Sequence, residues 1–406
     1  MDQDTYLILR ITDVQPVPGT SLEPTDRDVT PAPGAGAVVE YQVDTATLDP
    51  RDERDLRRDP QVAAVALPMP LALIQPVAAA TPAGDLGHMH GAAWGIVVTG
   101  ALQSPYAGRG VTVAVLDTGI DAGHEAFRGI ELIQRDFTGE GHGDQHGHGT
   151  HVAGTIFGQT VGGVRYSVAP GVRQALIGKV IGRENTATTK ELVDAIQWAV
   201  DGGAHIINMS LGFDFPGLVR WWAANGLEVD LATARALAQY RDNVRLFDRL
   251  VEFQRSRAAY AQGALIVAAA GNESRRAVRP DYVIEVAPPA AADGIVAVAA
   301  LGTAGSPHDA LAVAPFSNIR ADVAAPGVGV YSAQAGGGYT VMSGTSMASP
   351  HVAGVAALWA ERQLQRSGMV NSTTLAAQLR GNARMEGLPE AHPRDVGDGL
   401  VTAPYT

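Results

Sequence analysis

The chain has 406 residues, of which 46% are hydrophobic and 18% charged, enough for one large domain with a buried core and a smaller one beside it. A formal net charge of −12 argues against a nucleic-acid partner, because phosphate backbones bind basic surfaces. The absence of cysteine excludes disulfides, thiolate metal sites and a cysteine nucleophile. The sequence shows neither a secretory signal nor a run long enough to span a membrane, so we expect a cytoplasmic protein with no membrane partner.

The first part of the chain differs in pattern from the rest. Short apolar runs predict strands at residues 6–11, 38–43 and 62–67, and a charged run predicts a short helix at 51–58. A small, polar, Gly-containing stretch that follows is typical of an exposed linker, where chains are often cut. The predicted division of the chain is an N-terminal segment at 1–77, a linker at 78–91 and a main domain at 92–406.

Residues 344–354 read Gly-Thr-Ser-Met-Ala-Ser-Pro-His-Val-Ala-Gly and lead into a run of small apolar residues. This pattern predicts a turn followed by a helix. Pro350 fits only near the start of that helix, because a proline further inside the helix would remove a backbone N–H donor. Ser346 is therefore expected at a helix N-terminus, where free N–H groups and the helix dipole favour negative charge. A nucleophilic serine with an oxyanion site belongs at such a place.

An acidic residue and a histidine cluster follow two further patterns. The nearly unbroken apolar run at 111–116 predicts a parallel strand covered on both faces, and it ends at Asp117, where open α/β sheets place their chemistry. A turn-forming aspartate before glycine is the alternative. Four histidines lie between His142 and His151, but no spacing among them gives a credible zinc site. We therefore predict that no metal binds there.

These blocks, with the buried run at 264–270 that leads to Gly271-Asn272, resemble the active-site motifs of the subtilisin-like serine proteases, the subtilases. The order Asp117, His148, Ser346 is the order of that family. The resemblance covers roughly residues 92–404 in organisation. It implies an α/β, three-layer αβα subtilisin-like fold with a mostly parallel central sheet, preceded by a small N-terminal α+β propeptide-like segment.

The resemblance also implies a role for each residue of the motifs. Ser346 Oγ would attack the scissile carbonyl, and His148 would take its proton and pass it to the leaving amine. Asp117 would hold the imidazole in the required tautomer. Asn272 and the backbone N–H of Ser346 would bind the oxyanion. In the family pattern the first histidine of His-Gly-Thr-His is the base, so His151 is expected to be a packed neighbour.

Two substrate strands and a small pocket are implied by the same resemblance. In the family these strands pair with the substrate backbone, and small side chains leave room for the residue before the cut bond. Ala287 stands where many relatives have glycine, which makes the pocket shallower, and it precedes an expected cis proline. The residues expected to bind substrate are Asn185, Thr186, Ala187, Ser210, Leu211, Gly212, Ala269, Ala270, Gly271 and Ala287.

Two features depart from the family pattern. The stretch at 213–262 is longer than the usual connection and has a helical pattern. It is either an extra pair of packed helices or a wall over the substrate cleft, and we expect it to narrow specificity. The positions that would supply oxygen ligands to a calcium ion read Ala126 and Val161, which have no side-chain oxygen. We therefore expect that site to be empty and predict no cofactor.

The sequence thus predicts a serine endopeptidase for protein or peptide substrates, intracellular and substrate-restricted. Its N-terminal segment is either an intramolecular inhibitor that makes the chain a zymogen, or a structural extension that is never removed. Removal would cut the chain between Leu71 and His90. The alternative from another class is a catalytically silent peptide-binding module, which would not react with a reagent for active serines.

Overall fold

The structure is a computed structural model that describes residues 4–16, 37–77, 91–160, 162–184, 187–258, 263–303 and 310–405. The helices are α1 (Pro50–Leu56), α2 (Trp94–Val98), α3 (His148–Phe157), α4 (Thr189–Asp201), α5 (Phe215–Ala224), α6 (Val229–Ala258), α7 (Thr345–Ser367), α8 (Ser372–Gly381) and α9 (Pro393–Val396), with a 3-10 turn at Glu125–Phe127. The strands are β1 (Asp4–Pro16), β2 (Ala37–Leu48), β3 (Val62–Ala66), β4 (Pro70–Leu73), β5 (Thr112–Asp117), β6 (Glu131–Asp136), β7 (Gln174–Lys179), β8 (Ala187–Thr188), β9 (Ile206–Met209), β10 (Leu211–Phe213), β11 (Leu265–Ala269), β12 (Val296–Thr303), β13 (Leu311–Val313), β14 (Val323–Pro326), β15 (Val330–Ala333) and β16 (Tyr339–Met342).

An eight-stranded sheet forms the centre of the main domain. Its strands follow the order β13-β12-β11-β9-β5-β7-β6, and β14 pairs with β12. The described pairings are parallel except that of β12 with β13. The apolar run predicted at 111–116 is β5, an interior strand between β7 and β9.

Helices cover both faces of this sheet. Along β5, Val113 and Val115 belong to the apolar cluster that contains the buried side chains of α3 and α7. Ala114 and Leu116 belong to a second cluster, which contains those of α4 and α6. Successive side chains of a strand point to opposite faces, so two clusters on one strand mean two covered faces. The predicted three-layer fold with a mostly parallel sheet is confirmed.

The N-terminal segment forms an antiparallel sheet of order β2-β1-β3 with α1 beside it. On one face of β1, Leu7 and Leu9 join the apolar cluster that contains Leu246 and Leu250 of α6. The strands predicted at 6–11 and 38–43 are longer in the structure, because β1 and β2 pair along almost their whole length. Pairing of this kind depends on the partner strand and is not visible in a local pattern.

Strand β4 is absent from the sequence prediction. Four residues carry too little periodicity to reveal a strand, and the partners of β4 come from distant parts of the chain. The predicted linker at 78–91 lies outside the described residues except for Gly91. The insertion contains α5 and α6, two packed helices as expected. Within the described ranges, none of the helices is both long enough and apolar enough to cross a bilayer.

Candidate active site

Ser346 lies in the first turn of α7, as predicted, and its side chain is fully buried. Pro350 lies in the second turn rather than at the helix start, and it leaves the Ser346 carbonyl without its helical N–H donor. The hydroxyl of Ser210 donates to that carbonyl instead, at 3.1 Å. The amide of Asn208 donates to the Ser210 hydroxyl, also at 3.1 Å. Strand β9 and the residue after it therefore support the serine, a role of Asn208 that the sequence prediction missed.

His148 begins α3 and Asp117 ends β5, so the carboxyl edge of the sheet brings them together. His148 Nδ1 lies 2.7 Å from Asp117 Oδ1, and the two side chains are 2% and 1% exposed. The carboxylate requires a proton on Nδ1, which leaves Nε2 of a neutral ring free to accept a proton. The close packing of the start of α3 against the turn after β5 requires a glycine at position 149, because an added Cβ there would lie 2.2 Å from the carbonyl oxygen of Gly119.

The amide of Asn272 is oriented by Thr345. Its Oδ1 accepts hydrogen bonds from the backbone N–H and from the hydroxyl of Thr345, both at 2.9 Å. With Oδ1 occupied, the Nδ2 donor faces the cleft, where it donates to the carbonyl oxygen of Gln75 at 2.9 Å. An amide donor and the start of α7 thus meet beside Ser346, an arrangement suited to a developing oxyanion.

A segment of the chain's own N-terminal part fills the cleft, and we call residues 67–77 the cleft segment. Its strand β4 is antiparallel to β8 and to β10, the two strands expected to bind substrate. The pairs are Leu71 with Ala187 and with Phe213, Ala72 with Gly212, and Leu73 with Leu211. A peptide strand placed between two strands of a binding cleft is recognition by β-augmentation. The expected substrate residues Asn185 and Thr186 lie outside the described part of the chain.

Ile74 follows β4 and lies at the nucleophile. Its side chain is 7% exposed and lies over Gly212, where an added Cβ would meet Ile74 Cδ1 at 3.5 Å. The carbonyl oxygen of Pro288 is 3.7 Å from the same point. The peptide bond between Pro288 and Pro289 is cis, so the cis proline expected after Ala287 is present. The cleft therefore receives one apolar side chain beside Ser346.

The remaining expected pocket residues lie at the end of β11. Ala269 and Ala270 are buried, and the carbonyl oxygen of Ala270 accepts a hydrogen bond from Asn318 Nδ2 at 3.1 Å. The N–H of Gly271 donates to the hydroxyl of Thr345 at 3.1 Å. These bonds fix the strand end that carries Asn272 to the start of α7.

The serine hydroxyl is engaged by the cleft segment. Ser346 Oγ donates to the carbonyl oxygen of Ile74 at 3.1 Å and lies 3.3 Å from that of Ser210. His148 Nε2 is buried and has no hydrogen-bond partner within the described ranges. The hydrogen bond along which the serine proton would pass to the histidine is therefore not formed in this structure.

Asp144 is a further residue of the site that the motifs did not reveal. Its Oδ1 accepts from the hydroxyl of Thr118 at 2.8 Å and from the N–H of Gly147 at 2.7 Å. Its Oδ2 accepts from the N–H and the hydroxyl of Thr150, at 2.8 and 2.7 Å. One carboxylate thus joins the residue after β5 to the first turn of α3, the two elements that carry Asp117 and His148. An acidic residue four positions before the histidine is the only sequence signal.

Two other buried histidines, His151 and His351, are held neutral. Burial, together with the nearby His148, lowers the pKa of His151 to about 3, and burial lowers the pKa of His351 to about 4. His151 donates through Nε2 to the carbonyl oxygen of Val330 at 3.0 Å, the packed role expected of it.

The described histidines and acidic residues of this region do not form a metal site. Among the residues that the structure describes, no group of three or more histidine, aspartate or glutamate side chains could hold a metal ion. Ala126 is fully buried in an apolar cluster, and Val161 lies outside the described residues. The expected absence of calcium at this place stays a prediction.

Comparison with known proteins decides the family. The model of the subtilase family matches residues 108–398. The chain belongs to the subtilase family. It is 32% identical over 372 residues to a thermostable alkaline protease of Halalkalibacterium halodurans, which covers 90% of this chain and 82% of the relative. It is 36% identical over 261 residues to subtilisin DY of Bacillus licheniformis, which covers 62% of this chain and 77% of the relative.

A solved structure supports the same assignment. The crystal structure of a cold-adapted subtilisin-like serine proteinase superposes with a TM-score of 0.56 at 28% identity, over 77% of this chain and 99% of the other. This subtilase is accordingly a subtilisin-like serine endopeptidase, and its substrates are peptides or proteins. The alternative of a catalytically silent peptide-binding module is not favoured.

Proposed function

We propose that Ser346 is the nucleophile, His148 the general base, Asp117 its orienting acid, and Asn272 with the Ser346 N–H the oxyanion site. One observation carries this proposal. Ser346 Oγ lies 3.1 Å from the carbonyl oxygen of Ile74. Ile74 directly follows β4, the strand that lies between β8 and β10. The amide of Asn272 donates to the next carbonyl oxygen, that of Gln75, so a serine hydroxyl and an amide donor lie at adjacent peptide groups of the bound segment. Acyl transfer to serine requires a nucleophile and an oxyanion donor close to one peptide bond.

The observed arrangement is a resting one. Ser346 donates its proton to the oxygen of the carbonyl group that it would attack, so the proton is not yet directed at His148 Nε2. The amide of Asn272 contacts the next carbonyl along the chain, that of Gln75. For reaction, the Ile74 carbonyl oxygen has to exchange the serine hydroxyl for the oxyanion donors, and the hydroxyl has to turn to the histidine.

We further propose that the N-terminal segment is the intramolecular inhibitor of a zymogen. The cleft segment blocks access to Ser346, and the bond between Ile74 and Gln75 is the one over the serine. This position lies inside the range of residues 71–90 in which the sequence predicts cleavage. The insertion at 213–262 contributes the restriction of substrates, since β10 leads directly into α5. The cytoplasmic location stays a prediction.

The test compares the full chain with its Ser346→Ala variant by intact mass, casein hydrolysis and fluorophosphonate labelling over time. We expect the wild type to lose a fragment that ends at Ile74 and then to cleave casein, while the variant stays whole and inert. A wild type that stays whole and yet reacts with fluorophosphonate would contradict self-removal of the segment only. No labelling at all would refute the assigned nucleophile.

A further inference from the structure

Residues 67–69, which connect β3 to β4, lie in a polar junction built by two helices. Thr189 of α4 takes both polar backbone groups of Met69: its hydroxyl accepts from the Met69 N–H at 2.9 Å, and its N–H donates to the Met69 carbonyl oxygen at 3.0 Å. Asn243 Nδ2 of α6 donates to the Leu67 carbonyl oxygen at 2.7 Å. Gln239 Nε2, also of α6, donates to the Pro68 carbonyl oxygen at 2.6 Å.

The three side chains of the junction are buried, and two of them, Thr189 and Asn243, orient each other. Thr189 and Asn243 are fully buried, and Gln239 is 7% exposed. The hydroxyl of Thr189 donates to Asn243 Oδ1 at 2.6 Å, which turns the Asn243 amide donor toward the peptide. Asn243 Nδ2 also donates to the carbonyl oxygen of Gln239, one helical turn earlier, at 2.8 Å. Polar groups that are shielded from water are costly unless they are paired, so the donors and the acceptor of this junction need partners on the peptide that covers them.

We propose that this junction, Thr189 with Gln239 and Asn243, is a second peptide-binding site that extends the substrate cleft beyond β4. The proposal rests on the proposed function, because it takes Ile74 as the residue before the cut bond. Counted from Ile74 as the first residue, Met69 is the sixth and Leu67 the eighth. The site therefore recognises the backbone of the sixth to eighth residues. Two of its three side chains come from α6, in the stretch where this chain departs from the family pattern.

The ligand is an extended apolar peptide of at least eight residues. The site supplies one acceptor and three donors, which match one N–H and three carbonyl groups. Pro68 and Pro70 have no backbone N–H group, so neither position places an unpaired hydrogen-bond donor in the site. The side chain of Met69 is fully buried, and the site therefore favours an unbranched apolar residue at the sixth position. The chain's own segment occupies the site in this structure, and a long substrate occupies it during turnover.

The first test needs no catalysis. In the uncleavable full chain with Ser346→Ala, hydrogen–deuterium exchange is measured on residues 67–75 after adding Asn243→Ala or Gln239→Ala. Loss of one buried hydrogen bond should speed exchange in this segment on the order of tenfold. Asn225→Ala is the matched control, because its amide donates within the insertion to Trp221, away from the junction. Protection of β5 serves as the internal reference for an intact fold.

Unchanged exchange of residues 67–75 in both junction variants would overturn the proposal. If Asn243→Ala also loosens α6 itself, Gln239→Ala at the edge of the junction decides the matter. Faster exchange in β5 as well as in the cleft segment, in both variants, would mean general unfolding and would equally overturn the assigned role.

The second test uses the wild-type full chain and two fluorogenic peptides, Leu-Pro-Met-Pro-Leu-Ala-Leu-Ile and Pro-Leu-Ala-Leu-Ile, each with the reporter amine after isoleucine. We expect the longer peptide to have a lower KM at similar kcat, because the added contacts act equally in the ground and transition states. Asn243→Ala should remove the difference and Asn225→Ala should keep it. An equal KM for both peptides in the wild type would overturn the substrate role. If neither peptide is hydrolysed by chains that have lost the segment up to Ile74, as checked by intact mass, while the exchange effect is present, the proposed activity fails and the binding site stands.

Discussion

The occlusion of Ser346 by the cleft segment leads to a quantitative prediction for Leu71→Ala. Leu71 is 2% exposed and pairs with Ala187 on one side and Phe213 on the other. Replacing a buried leucine by alanine removes apolar contact and leaves a cavity, which costs about 2–5 kcal/mol. The substitution destabilises only the closed state, in which the segment lies in the cleft. In the open state Leu71 is exposed to water, so its replacement by alanine removes no buried contact there.

The expected result is a larger open fraction and faster access to the nucleophile. With about 1.4 kcal/mol for each factor of ten, the open fraction should rise by at least roughly 30-fold. The assay is the initial rate at which a fluorophosphonate labels the intact, uncut chain. The labelling rate should rise by the same factor as long as opening precedes reaction.

Leu231→Ala is the matched control, since Leu231 lies in α6 but is 62% exposed. Its labelling rate should equal that of the wild type. An unchanged rate in Leu71→Ala, with the fold intact by circular dichroism, would refute the conclusion that the cleft segment blocks Ser346.

Three further predictions concern the site and its support. Asn272→Ala should lower kcat by about 10²–10³-fold, a range known from the corresponding donor of subtilisin itself. The change in kcat is measured by casein hydrolysis after processing. An effect on KM alone would contradict the oxyanion role. Asp144→Asn should lower kcat by about tenfold with KM unchanged, since charge-assisted hydrogen bonds are lost; equal kcat values in peptide hydrolysis would refute the positioning role. His351 binds a proton below about pH 6.5 in the unfolded chain but only below about 4 when folded. The free energy of unfolding should therefore fall as pH drops through this window. In urea unfolding of the Ser346→Ala background, His351→Gln should reduce the slope of this free energy against pH by about 1.4 kcal/mol per pH unit. An unchanged slope would count against a neutral buried His351.

Much of the site could be predicted because its chemistry lies in local sequence. Asp117 ends an apolar run that forms an interior strand, and Ser346 starts a helix that a glycine-rich turn introduces. In both cases the residue type and the element that presents it are neighbours in the chain. The order of the motifs then sufficed to predict the family and the fold class, while the roles of the individual residues stay a proposal.

The supporting residues escaped prediction because their function depends on partners far away in the chain. Asn208 supports Ser346 through Ser210, and Asp144 joins the ends of β5 and α3. A single polar residue of either kind has no distinctive local pattern. Its meaning depends on which acceptors and donors the fold places around it.

The sequence by itself therefore determined the family and the central sheet, and it indicated the side chains that we propose to be reactive, since each depends on short motifs and local periodicity. Only the tertiary structure decided which residues of the N-terminal segment lie in the cleft and against which strands. Ser346 and Ile74 are 272 positions apart, and α6 meets residues 67–69 across more than 170 positions. Contacts over such separations arise from packing of the whole chain. No local sequence pattern therefore predicts that β4 pairs with β8 and β10, or that α6 hydrogen-bonds to residues 67–69.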